Sequence, residues 1–92
     1  MKKIMDGKVV ETTSETKIAT RTNYNSQNNP LSYESINRVG DIYYYGITGA
    51  GDIWSPDNDI EEIGFFSDMI VWAEENGWAC NAKLIEHIEE HA

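Results

Sequence analysis

The chain has 92 residues, enough for one small domain that can bury roughly 60–65 % of the surface its unfolded form exposes. It carries 16 acidic against 7 basic residues, unevenly placed: six basic residues face four acids as far as Arg38 (+2), whereas from Val39 onward Lys83 alone faces twelve (−11). That field repels phosphate backbones and argues against direct nucleic-acid binding, the lone Cys80 excludes an internal disulfide framework, and no apolar run approaches the 18 or so residues of a membrane-spanning helix.

In chain order, two lysines and an Asp6-Gly7 turn signal precede Val9 and Val10, which predict a short edge strand. Residues 12–23, TTSETKIATRTN, carry two patterns. Thr12 and Glu15 have capping-box spacing, which would open a helical turn. Ile18, Thr20 and Thr22 alternate with Lys17, Ala19 and Arg21, and the β-branched density predicts a strand from about Lys17. The alternation places Ile18 toward the core and Lys17 and Arg21 toward solvent. A polar loop, YNSQNNP, follows.

Two β-rich runs within residues 33–48 flank Gly40-Asp41, a hairpin signal between Val39 and Ile42. On the second arm Ile42, Tyr44 and Gly46 share one face and Tyr43, Tyr45 and Ile47 the other. Both faces carry apolar bulk, so this is expected to be a central strand, packed on one side and partly covered on the other. The Gly-, Pro- and Asp-rich residues 46–59 read as loop: no Lys or Arg follows the glycines and no helix starts behind them, as a phosphate cradle requires. Residues 60–63 can add a last strand.

The stretch IEEIGFFSDMIVWAEENGW (60–78) holds the best helix signal in the chain. Ser67 or a residue just ahead of it is placed to cap, and Asp68 falls in the positive first turn. Phe65 or Phe66, Met69, Trp72 and Ala73 make a buried stripe, and Asn76-Gly77 is a stop. A shorter helix from about Asn81 is expected to bury Leu84, Ile85 and Ile88. The predicted fold is α+β: residues 1–92 as a single small acidic domain, with an antiparallel sheet of three to four strands followed by two C-terminal helices packed on it.

The chemistry-bearing patterns are sparse. His87-Ile88-Glu89-Glu90-His91 matches H-x-x-E-H, in which two histidines one helical turn apart hold zinc and a glutamate acts as base. It lies in the last residues of the sequence, where a solvated, fraying helix end is expected. Cys80, beside Trp78 and Ala79, reads as a small buried hydrophobe. The pairs Glu61-Glu62, Glu74-Glu75 and Glu89-Glu90 are expected on solvated faces. Tyr43, Tyr44, Tyr45 and Trp54 read first as core packing; because alternation sends Tyr43 and Tyr45 one way and Tyr44 the other, one set can be partly exposed, and beside these acids it has the composition of an interaction surface.

Several segments together resemble a family of small acidic proteins from phages and mobile elements. That family shares a G-K-x-Y-x-T-E-T-A opening, a strand ending in a Y-G-x-x-G hairpin, and a late W-A/L-E-E-N helix. The matching positions are Gly7-Lys8, Thr13, Glu15-Thr16, Ile18-Ala19, Tyr45-Gly46, Gly49 and residues 72–76, while Val10 stands where the family has Tyr and Ser14 interrupts the T-E-T-A run. Some proteins resembling this family are anti-CRISPR proteins. The resemblance implies a non-enzymatic inhibitor in the cytoplasm of a bacterial host, without cofactor or metal, acting as a DNA mimic. Its partner would be a host protein with a basic nucleic-acid-binding cleft, a CRISPR effector subunit that uses such a cleft for target DNA or PAM reading. The expected partner-binding residues are Asp57, Asp59, Glu61, Glu62, Asp68, Glu74, Glu75, Tyr43, Tyr45 and Trp54. A phage regulatory module binding another host protein, and a small zinc-dependent enzyme built on His87, Glu90 and His91, are the alternatives.

Overall fold

The computed structural model describes residues 1–51 and 53–92; Asp52, one of the twelve later acids, lies outside them. Among the described residues the chain forms β1 (Lys2–Met5), β2 (Lys8–Glu11), β3 (Lys17–Tyr24), β4 (Pro30–Val39), β5 (Ile42–Gly49), β6 (Asp59–Gly64), α1 (Phe66–Glu75) and α2 (Ala82–His91). Strands β3-β4-β5-β6 make one antiparallel sheet in sequence order, and β1-β2 make a separate hairpin. The expected α+β fold is present. The N-terminal segment differs from expectation in pairing with itself. Asp6 and Gly7 both adopt positive φ, 50° and 77°, and such a two-residue turn carries the twist that brings antiparallel strands together.

Strands β4 and β5 turn at Gly40-Asp41 with Val39 opposite Ile42, as predicted. The alternation on β5 then builds two cores. Tyr43 joins Ala19, Ile36, Met69, Ala73, Trp78 and Leu84 beneath the helices, with Tyr45 packed at the margin. Tyr44 joins Val10 and Ile60 on the other face, where Met5, Val39 and Ile42 close in. The helices therefore cover one face of the sheet and the β1-β2 hairpin covers part of the other.

Two irregularities re-aim side chains. The β3-β4 register steps from Lys17–Asn37 to Ala19–Ile36, so one extra residue, Ile18, is accommodated at that step. Beyond it Ala19 is buried in the helix-side core, and Arg21 lies on the covered face, which corrects the solvent-facing placement of Arg21. A second shift, between Tyr43–Gly64 and Tyr44–Glu62, leaves Ile63 packed against the helix-side core. Residues 13–16 form a turn instead of a helix start. The Thr16 hydroxyl accepts from Thr13 N at 2.9 Å, and the Thr13 hydroxyl accepts from Glu15 N at 3.2 Å.

Helix α1 starts one residue before Ser67, with Phe65 as the cap position; Asp68 Oδ2 accepts from Phe65 N at 2.9 Å. At its other end Gly77 takes φ 78° and Trp78 N donates to Ala73 O at 2.9 Å, the Schellman closure that the Asn-Gly pair predicts. Met69 and Ala73 are buried, with Phe66 and Trp72 beside them. Helix α2 is capped by Asn81, whose side chain accepts from Leu84 N at 3.1 Å. Two expectations change here. Ile85 is 41 % exposed and His87 is buried in its stead, because Leu84, His87 and Ile88 make the stripe that turns inward. Cys80 is exposed, because the chain between the helices turns about Trp78 and leaves its neighbours outside. The helices are antiparallel: Phe66 and His87 both pack on Tyr43, while Asn76 and Asn81 both reach β3. Burying Met69 and Leu84 stabilises this face by about 1.5–3 kcal/mol each.

Candidate protein-binding surface

At the centre of the covered face lies a polar knot that anchors the helices. Arg21 Nε donates to Glu34 Oε2 at 2.9 Å and Nη2 to Oε1 at 3.1 Å. Its Nη1 donates to Asn76 O at 3.0 Å and Gly77 O at 3.2 Å, so the guanidinium also satisfies carbonyls at the negative end of α1. The same group stacks 4.3 Å over the Trp78 ring. Glu34 further accepts from the Tyr45 hydroxyl at 2.6 Å and from Asn23 Nδ2. Burial pushes the Glu34 carboxyl up, but hydrogen bonds from Arg21, Tyr45 and Asn23 and the Arg21 charge outweigh it and hold the group below its ordinary range. Tyr45 is pushed the other way, first by burial and then by the adjacent carboxylate.

Near the opposite end of the helices, Tyr43 Oη shares a 2.7 Å hydrogen bond with His87 Nε2. The His87 and His91 rings stack with centroids 4.1 Å apart, and His91 Nδ1 donates to His87 O at 2.8 Å. The H-x-x-E-H pattern is thus folded into the domain: one histidine is a buried packing residue whose Nε2 is engaged by a phenol. Among the described residues no group of three or more His, Cys, Asp and Glu gathers as a metal site.

The expected interaction residues fall into buried, half-buried and exposed positions. Tyr43 is only 2 % exposed and offers no surface, so it is withdrawn from the set. Tyr45 is half-buried, its ring 5.3 Å from Trp72 and its hydroxyl committed to Glu34. Asp59 is bound by Lys3 Nζ at 2.6 Å, an ion pair that ties the β1-β2 hairpin to β6 and keeps the carboxyl acidic. Asp57 is exposed in the loop before β6, and Trp54 in the same loop is 79 % exposed. Asp68 is exposed but accepts the Phe65 N–H.

The adjacent acids of each pair diverge. Glu61 lies opposite Tyr45 and so takes the helix-side face, whereas Glu62 lies opposite Tyr44 and takes the hairpin-side face. On α1, Asp68, Trp72 and Glu75 fall along one flank. Trp72 packs on Tyr45, which brings that flank to Glu61 at the β6 edge. Glu74 falls on the other flank, facing α2. Glu61, Glu62, Glu74, Glu75, Glu89 and Glu90 make no ion pair among the described residues. Part of this charge has a structural use, since acids on an edge strand oppose pairing with another chain.

The acids are what the composition made visible. Arg21–Glu34 and Tyr43–His87 carry no sequence signal, since one depends on a bulge and the other on two elements meeting. An apolar groove between the helices was foreshadowed only by the surplus of Ile at positions 70, 85 and 88. No helix among the described residues is long and apolar enough to cross a membrane. Compared with protein-family models, curated proteins and solved structures, the chain matches none.

Proposed function

We propose that this protein is a phage or mobile-element inhibitor of a bacterial defence system, an anti-CRISPR protein that occupies the basic DNA- or PAM-binding surface of a Cas effector. The observation that carries the reading is the density of carboxylates after Val39, of which six glutamates on β6, α1 and α2 make no ion pair among the described residues. The part that bears on a partner is the flank formed by Glu61, Asp68 and Glu75 around Trp72. It sets negative charge beside an aromatic, and a Lys/Arg-lined cleft is complementary to it and is drawn to it at long range. This mode of action requires no catalytic group, because occupying a cleft is sufficient to inhibit.

The test is capture of purified CRISPR effector complexes by the protein, with and without PAM-bearing DNA, alongside an interference assay in cells. Capture that bound DNA blocks, with loss of interference, is expected. Capture of no effector, or capture indifferent to bound DNA, overturns the DNA-site reading. Capture of an unrelated host protein would place the chain among regulatory modules instead.

A further inference from the structure

Between α1 and α2 runs an open groove of about 470 Å³, walled by Ile70 and Ala73 on one side and Leu84, Ile85 and Ile88 on the other, with Trp78 between them. Ile85 is 41 % exposed there. The two helices meet the sheet side by side but leave this apolar seam open above their contact with it. We propose that the groove docks an amphipathic, basic helix of the partner protein, its apolar stripe in the seam and its lysines or arginines against Glu74 and Glu89. The proposal rests on the functional reading above and names how the partner is held.

Three features select this occupant. The walls are helix faces whose backbone groups are already bonded within each helix, so an incoming segment finds no strand edge to extend. It must satisfy its own backbone, as a helix does. The wall residues recur at spacings of three and four, the ridge pattern into which a third helix packs. Finally, the rim is negative on both sides. Glu74 lines the α1 wall, and Glu89 follows Ile85 by four residues on the same flank of α2. The one lysine of this half, Lys83, lies on the far flank of α2 with Ile18, Glu86, His87 and Glu90. A second copy of the chain fits poorly, because it would bring Glu74 and Glu89 against their own kind with no cation between them. With α1 ten residues long, the seam is about 15 Å, so roughly three turns of partner helix span it.

The probe is a synthetic amphipathic peptide of leucine and lysine at helical spacing, about 14 residues long, near the minimum for a stable turn count. Two controls accompany it: the same peptide with glutamate for lysine, and a leucine-lysine peptide of strictly alternating, strand-like order. Binding to the whole protein is read by tryptophan fluorescence and calorimetry. The helical lysine peptide is expected to bind, at least about tenfold more weakly to Ile85→Gln and to Glu74→Lys/Glu89→Lys, and within about twofold of the original to Glu62→Lys on the opposite face of the sheet. Ile85 is partly exposed, so Ile85→Gln is expected to fold, which thermal melting verifies. Unchanged affinity in Ile85→Gln, equal binding of the glutamate or alternating peptide, no binding at all, or a dimer in sedimentation that Ile85→Gln dissociates, would each overturn the proposal. The two readings fail separately. Effector capture that survives Ile85→Gln but is lost in Glu61→Lys/Glu75→Lys removes the groove and leaves the inhibitor reading. Peptide binding with no effector capture does the reverse.

Discussion

The Arg21 guanidinium grips the buried Glu34 carboxylate with two parallel hydrogen bonds, 2.9 and 3.1 Å, while its third nitrogen donates to the Asn76 and Gly77 carbonyls just beyond α1. One side chain thereby joins β3, β4 and the turn between the helices. Arg21→Lys keeps the charge and loses the fork, and a loss of about 2–3 kcal/mol is expected, below the range for fully buried pairs because Arg21 is one-third exposed. Tyr45→Phe, which removes the hydroxyl from Glu34, is expected to cost about 1.5–3 kcal/mol. Urea midpoints measure both. A sum of the two losses in the double variant would show that the groups do not act as one network.

Acid lability is expected in two separate windows. Burial disfavours the His87 imidazolium, with His91 and Arg38 adding to the effect, so the folded protein takes up that proton less readily than the unfolded chain. The contribution of His87 is therefore full above about pH 6.5 and is lost as pH falls from there through the lowered folded value. Glu34, also held low, contributes fully above about pH 4.3 and is lost below it. Melting temperature against pH should fall in two steps. His87→Phe, which retains a ring in the site, should erase the upper step and leave the lower one; an upper step that persists would remove His87 as its source.

Gly64 joins β6 to α1 with φ 132°, and a Cβ there would stand 2.6 Å from Asp68 Oδ2 and 2.9 Å from its Cβ. Asp68 is the group that accepts the Phe65 N–H. Gly64→Ala therefore strains the backbone and displaces the helix cap together, at an expected cost of about 1–3 kcal/mol. Asp68→Asn keeps the acceptor and should cost less. Thermal unfolding of the two variants provides the comparison.

The flank of Glu61 and Glu75 should act on the speed of encounter more than on its duration. With an effector as partner, Glu61→Lys/Glu75→Lys is expected to lower the association rate about threefold to tenfold and to flatten its dependence on salt. Glu62→Lys, on the opposite face, should change it little. Surface plasmon resonance across ionic strengths separates these outcomes, and an effect of Glu62→Lys about half that of the double variant, in proportion to the charge each changes, would mean that the charge acts only through its total.

What the sequence determined by itself is the part set by local chemistry. Asp6-Gly7 and Gly40-Asp41 place two turns, the alternation of Tyr43, Tyr44 and Tyr45 divides two cores, the spacing of Met69, Trp72 and Ala73 makes a helix, and Asn76-Gly77 ends it. Each depends on neighbours within a few residues, where backbone preference and periodicity act directly. Tertiary structure decided the rest. One extra residue at Ile18 carried Arg21 to the covered face, and the rotation of α2 buried His87 and left Ile85 at the surface. The pleat sent Glu61 and Glu62 to opposite sides of the sheet. Such outcomes depend on where two distant elements touch. A local pattern can show that a side chain has an inside and an outside, but the partner across the interface decides which one it takes.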